Sequence, residues 1–169
     1  GYRVIALASG RVKKKDSYTE EDIKNLAFMG MVGFIDPIRK EVIDSIKECK
    51  SAGIKVLMIT GDHPLTAFSI AKELELTDTY DEVTTGVEVD KYLELEETDF
   101  DEFVKSKKVF TRVTPLQKLA IVESLKRQGE FVAVTGDGVN DAPALKSANI
   151  GVAMGSGTDI AKGAGDIVI

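Results

Sequence analysis

The sequence predicts an α/β protein in which a parallel sheet is covered by helices on both faces, preceded by a smaller amino-terminal segment. Two observations carry this expectation. From Asp36 onward, short β-branched strands alternate with segments of helical period, the pattern of a parallel sheet buried by its crossover helices. Two of the apolar strands also run directly into glycine-bearing polar loops, Thr60-Gly61-Asp62 and Thr135-Gly136-Asp137-Gly138, at the carboxyl ends where open α/β sheets place ligands.

Taken in order, Tyr2 to Ala8 reads as a strand, Thr19 to Leu26 as a short helix with an acidic start, and Ala27 to Ile35 as a second strand. This segment is too small to bury a core alone. Pro37 suits a first helical turn; Ile38, Val42, Ile46 and Cys49 then recur at helical spacing until Gly53 stops the helix. Lys55 to Thr60 reads as a strand and Pro64 to Leu74 as a helix with Leu65, Phe68 and Ala71 on one face. The largely acidic stretch from Glu75 to Glu102 reads as a solvated excursion with one or two short helices. Strands follow at Lys108 to Arg112, Phe131 to Thr135, Ile150 to Met154 and Asp166 to Ile169, with a strong helix from Pro115 to Arg127. Met29, Met31, Met58 and Met154 lie in apolar strands and are expected in the core.

With 169 residues and 43% apolar side chains, the chain has room for one ordinary domain plus a small appendage and is expected to fold as a soluble globule. A net charge of −6 argues against a general nucleic-acid binder, and the only basic run, Lys13 to Lys15, reads as a solvated turn. The single cysteine, Cys49, allows no internal disulfide. There is no signal-like amino terminus and no run approaching a membrane span. His63 is the only histidine, which excludes multi-histidine metal sites, and it is assigned no catalytic role.

The richest stretch is Val134-Thr135-Gly136-Asp137-Gly138-Val139-Asn140-Asp141-Ala142-Pro143, expected between a buried strand and a helix. Gly136 and Gly138 allow close backbone approach or positive φ; Asp137, Asn140 and Asp141 supply hard oxygen ligands suited to a small divalent cation. Carboxylates this close repel unless a cation offsets them. An Asx-rich turn capping a helix is the plainer alternative.

Three further groups fall at βα connections. Thr60-Gly61-Asp62 offers a hydroxyl and loop amides to a phosphoryl oxygen, or serves only as a turn. Lys118 shares a helical face with Ile121, Val122 and Leu125 and should point toward the core, where it needs an anion such as a phosphoryl group; the alternative is a snorkelling lysine. In Asp36-Pro37-Ile38-Arg39 the aspartate would cap the helix, while Arg39 reaches a phosphate or a hinge carboxylate, or the segment is a structural junction. Arg112, at the end of a strand, faces an anionic ligand or pairs with the acidic stretch.

These residues resemble the phosphorylation domain of P-type cation-transporting ATPases, of the haloacid dehalogenase-like superfamily. Asp36 to Glu41 looks like the family's hinge motif, Met58 to Asp62 its second phosphate motif, Arg112 to Pro115 with Lys118 its lysine motif, and Thr135 to Leu145 its magnesium loop; Ile150 to Gly157 continues the pattern. The resemblance implies a Rossmann-like parallel sheet over residues 36–169, with residues 1–35 as the tail of the inserted nucleotide-binding domain. It implies Mg²⁺ and ATP as cofactor and substrate. Asp137 would ligate Mg²⁺ with Asn140 and Asp141 in support; Thr60, Gly61 and Lys118 would hold phosphoryl oxygens; Asp62, Arg39 and Arg112 would act around the nucleotide phosphates or the hinge.

The family's chemistry transfers the γ-phosphoryl of ATP to an aspartate and then hydrolyses the acyl phosphate, coupled to ion movement at the cytoplasmic face of a membrane. The family's Asp-Lys-Thr-Gly-Thr motif, which carries that aspartate, occurs nowhere in these residues. The chain is therefore expected to be a carboxyl-terminal piece of a longer pump, most like the calcium-transporting type. Its partners would be the nucleophile strand and the nucleotide-binding, actuator and transmembrane parts, with a transported cation bound only by the whole protein. A free-standing phosphatase of the superfamily would need an Asp-x-Asp nucleophile after an apolar strand, and none is present. A non-catalytic module binding phosphate or nucleotide is the remaining alternative.

Overall fold

The computed structural model describes residues 3–34 and 37–169. The chain divides into two compact units, Gly1–Ile38 and Arg39–Ile169.

In the first unit, β1 (Arg3–Ser9) pairs antiparallel with β2 (Ala27–Phe34), with a register shift between Leu7 and Ala8. Met29 and Met31, expected in a core, stand 67% and 68% exposed beside exposed Ile5, Phe28 and Phe34. The helix expected over Thr19 to Leu26 is reduced to one 3₁₀ turn, Glu20–Asp22. Asp22 accepts a hydrogen bond from the Thr19 amide at 2.8 Å, and Asn25 turns the chain at φ 52°. A helix this short is stable only against an apolar surface, and no buried residue lies in the turn.

The second unit begins with α1 (Lys40–Ser51), whose amino cap is Arg39, so Pro37 precedes the helix instead of lying in its first turn. Asp36, expected as the cap, lies outside the described residues. Val42, Ile46 and Cys49 are half-buried on one face. Gly53, at φ +74°, closes the helix, and the Ile54 amide returns to the Cys49 carbonyl at 2.9 Å.

The parallel strands form two three-stranded sheets. In one, β3 (Met58–Thr60), β4 (Val83–Thr85) and β5 (Val109–Thr111) are ordered β3-β5-β4, with Thr60 opposite Thr111 and Thr111 opposite Thr85. In the other, β6 (Ala133–Gly136), β7 (Ile150–Ala153) and β8 (Ile167–Val168) are ordered β6-β7-β8. The helices are α2 (Pro64–Glu73), α3 (Gly86–Leu93), α4 (Glu97–Lys105), α5 (Pro115–Arg127), α6 (Ala142–Ser147) and α7 (Asp159–Ala164). This is the expected α/β class.

The strands β3 and β6 are edges, shorter and more exposed than the sequence suggests. β3 starts at Met58, not Lys55, and β6 at Ala133. Phe131, expected in a buried strand, falls before β6 and is 74% exposed, and among the described strands β6 pairs only with β7. Met154 falls just past β7 and is 38% exposed. On α2 the covered face runs Pro64, Ala67, Ala71, Leu74, which leaves the expected Leu65 outside.

The largest correction concerns Glu75 to Glu102. It is not an excursion: β4 is a sheet strand, and Val89 and Phe100 join Phe103, Val104, Phe110 and Ile121 in the main core. Glu88, Asp90, Glu97, Asp99 and Glu102 lie on the outer faces of two amphipathic helices, a sorting that average composition conceals. A second cluster contains Val122, Val132 and Ala144, with Val134 packed against it. Adjacent residues of α5, Ile121 and Val122, therefore serve different clusters, and Leu125 touches both. Ile59 of β3 packs against the first cluster and Val134 of β6 against the second.

Candidate functional site

The loop after β6 is built around Asp141. A 3₁₀ turn, Val139–Asp141, brings its carboxylate back under the strand end, where Oδ2 accepts from the amides of Gly138 at 3.1 Å and Asp137 at 3.3 Å. Gly136 makes this possible through close approach and not through positive φ: a Cβ there would stand 2.5 Å from the Asp141 Cβ. The loop before α7 grips the same segment from the other side. The Thr158 amide donates to the Asp137 carbonyl at 2.8 Å, and a Cβ on Gly157 would meet that carbonyl at 2.7 Å.

Lys118 supplies the counter-charge. From the first turns of α5, Nζ lies 2.6 Å from Asp141 Oδ1, with both side chains under one-fifth exposed. The core-facing direction read from helical spacing is correct, and the anion it meets in this structure is Asp141. Burial raises the Asp141 carboxyl, but the Lys118 ammonium and the Gly138 and Asp137 amides outweigh it and hold the group below the usual aspartate range. Asp141 is thus an anion whose oxygens are largely committed.

Asp137 differs. Its exposed carboxylate makes no hydrogen bond or ion pair among the described residues, and Asn140 is exposed in the same loop. No group of three acidic, histidine or cysteine side chains gathers among the described residues. The donor set is therefore one free carboxylate, one committed carboxylate and an amide oxygen. That fits Mg²⁺, which takes one or two protein carboxylates and completes its shell with water and phosphate.

The remaining candidates sit at the ends of β3 and β5. Thr60 Oγ1 accepts from the Asp62 amide at 3.1 Å, and Asp62 precedes His63, whose Nδ1 caps α2 by accepting from Leu65 at 3.3 Å. Open space lies over Gly61. Thr60 is paired across the sheet with Thr111, so the Thr60 loop and Arg112 leave neighbouring strands. Arg112 is exposed at φ +51°, a strained geometry for a side-chain-bearing residue, and forms no ion pair with the acidic segment. Arg39 caps α1 and is exposed. No hydrogen bond or ion pair among the described residues joins the Thr60–Arg112 group to the Lys118–Asp137–Asp141 group; α5, which starts soon after Arg112 and carries Lys118, connects them.

Sequence reasoning included Gly157 in the Ile150 to Gly157 stretch without its approach to the Asp137 carbonyl, and missed Gln117. Gln117 is buried and closes a capping box with Thr114 at the start of α5. The spacing Thr114-x-x-Gln117 was the available signal.

The acidic loop after β6, with Lys118 of α5 paired to it, and the Thr-Gly-Asp turn after β3 lie at strand carboxyl ends, where open α/β sheets place ligands. The chain belongs to the haloacid dehalogenase-like hydrolase family, which it matches over residues 6–149. Over nearly its whole length it is homologous to P-type calcium- and sodium-transporting ATPases. It is 48% identical over 168 residues to calcium-transporting ATPase 1 of Bacillus cereus, covering 99% of this chain and 19% of that protein. It is 44% identical over 183 residues to an endoplasmic reticulum calcium ATPase of Aspergillus fumigatus, covering 100% and 18%. A P-type sodium-transporting ATPase of Toxoplasma gondii is 48% identical over 159 residues, covering 88% and 12%. Among solved structures, the catalytic domain of the CPx-ATPase CopB-B, described in connection with nucleotide binding, superposes with a TM-score of 0.56 at 26% identity, covering 87% of this chain and 45% of that one. The chain thus spans about a fifth of the curated calcium-pump relatives. No helix among the described residues is long and apolar enough to cross a membrane.

Proposed function

We propose that this chain supplies the Mg²⁺- and phosphoryl-binding half of the catalytic site of an ATP-driven cation-transporting P-type ATPase, working at the cytoplasmic face of a membrane. The observation that carries the reading is the loop after β6: a free Asp137 carboxylate beside an Asp141 already neutralised by Lys118. Asp137 would hold Mg²⁺, with Asn140 and Asp141 in support, and the ion would neutralise charge on the transferred phosphoryl group. Lys118, Thr60 and Gly61 would bind phosphoryl oxygens, while Asp62, Arg39 and Arg112 would act around the nucleotide phosphates or the hinge.

In such transfers, positioning and charge neutralisation supply most of the catalysis, and this chain's residues are of that kind. The accepting aspartate would come from the Asp-Lys-Thr-Gly-Thr strand, which these residues lack. Among the described strands β3 and β6 are open edges, whose Ile59 and Val134 pack against the two clusters that Leu125 of α5 joins, and this supports a place for such a strand. The exposed apolar side chains of the two-stranded β1–β2 ribbon agree with a tail of the nucleotide-binding domain that relies on further strands. The calcium pumps among the relatives favour calcium as the transported ion.

Incubation with γ-labelled ATP and Mg²⁺, with and without a peptide carrying the missing strand, tests the proposal. Label on the added peptide alone is the expected result. Label on this chain without the peptide overturns the assignment of the nucleophile.

A further inference from the structure

An uncharged side chain ties the start of α5, the helix that carries Lys118, to the start of α3. Gln117 is 4% exposed, and both ends of its side-chain amide are hydrogen-bonded. Oε1 accepts from the Thr114 amide at 2.8 Å, while Nε2 donates to the Gly86 carbonyl at 3.0 Å and to Asp90 Oδ1. The Thr114 hydroxyl returns the cap by accepting from the Gln117 amide at 3.3 Å. One side chain thus fastens the first turn of α5 to the first turn of α3.

Gly86 sits inside this junction. A Cβ there would stand 2.5 Å from the Arg112 carbonyl oxygen and 2.8 Å from Gln117 Oε1, so glycine alone lets the turns after β4 and β5 lie backbone to backbone. Below them, Thr111 Oγ1 donates to the Thr84 carbonyl at 2.8 Å. Arg112 leaves this packed junction in its left-handed conformation, and Lys118 follows Gln117 directly. A strained residue persists where its surroundings over-determine it, and here those surroundings are Gly86 and the Gln117 bonds.

We propose that Gln117 and Gly86 are positioning residues for the phosphate site: they fix the exit of Arg112 and the rotation of the α5 turn that carries Lys118. This rests on the phosphoryl-binding role given above to those two cations. A buried polar lock is costly unless every partner is in place, and that requirement gives it one geometry where an apolar side chain would tolerate several.

The test measures Mg²⁺-dependent ATP binding by the chain, and Mg²⁺ binding alone, at a temperature where circular dichroism shows each variant folded. Gln117→Met and Gly86→Ala are each expected to weaken ATP binding about tenfold while leaving Mg²⁺ affinity unchanged, since Asp137 lies outside the lock. Gln117→Glu, which keeps the acceptor for Thr114 but cannot donate to Gly86, serves where the methionine variant unfolds and is expected to show the same selective loss. In an Arg112→Ala background, the added loss from Gly86→Ala should shrink below about twofold, because coupled residues are not additive. Unchanged ATP affinity in the variants, or losses that multiply independently of Arg112, overturns the proposal. A wild-type chain with no Mg²⁺-dependent ATP binding overturns the phosphoryl reading itself, and this proposal with it.

Discussion

Asp137 and Asp141 are the same residue type in one loop, yet the fold gives them different work. Asp141 is anchored by two amides and Lys118, whereas Asp137 keeps a carboxylate free. Asp137→Ala is expected to abolish Mg²⁺ affinity without loss of fold, as seen by titration calorimetry beside a thermal melt. Lys118→Ala should weaken binding of a phosphate analogue by about 1.5–3 kcal/mol, the range for hydrogen bonds to charged groups. If its thermal stability falls by more than its binding, Lys118 is a structural counter-ion to Asp141. The acidic decapeptide stood out by its residue types, whereas the pairing of Asp141 with Lys118 and two loop amides emerges only from the fold. Gln117 did not stand out, since a glutamine has no inherent role until Gly86, Asp90 and Thr114 are brought around it.

Among the elements, α5 was read to the residue, Pro115 to Arg127, and the structure adds the capping threonine, Thr114, before it. The Glu75 to Glu102 segment was misread because charge was averaged along the chain, while α4 sorts it by face: Phe100, Phe103 and Val104 inward, Glu97, Asp99 and Glu102 outward. The consequence is measurable. Phe100→Ala should destabilise the chain by about 3–5 kcal/mol in urea unfolding, as for a buried aromatic truncated in a packed core. A change under about 1 kcal/mol, as expected for a solvated excursion, would return the segment to the surface. The strand limits at β3 and β6 were also overestimated, because the apolar runs Lys55 to Thr60 and Phe131 to Thr135 do not reveal that each strand has a neighbour on one side only.

For the whole molecule, several carboxyls are held below their ordinary range by folding. Asp101 is lowered chiefly by its hydrogen bond from Arg127, Glu82 by the Thr77 hydroxyl, and Asp141 by Lys118 and two amides acting against its burial. A carboxyl with a lower value in the folded than in the unfolded chain adds stability above its unfolded value, and that contribution disappears as pH falls through the folded value. The thermal midpoint should therefore drop as pH goes below about 4, the ordinary carboxylate range. Asp101→Asn should flatten that drop; an equal acid sensitivity in the variant would remove the Arg127 pair from the account. The two sheets share no backbone ladder among the described strands, yet they are not free to melt one at a time. Ile121 and Val122 point from a single helix into separate apolar cores, so loosening either sheet strips a wall from the other. Cooperativity in this unit is a property of one rod shared between two rooms.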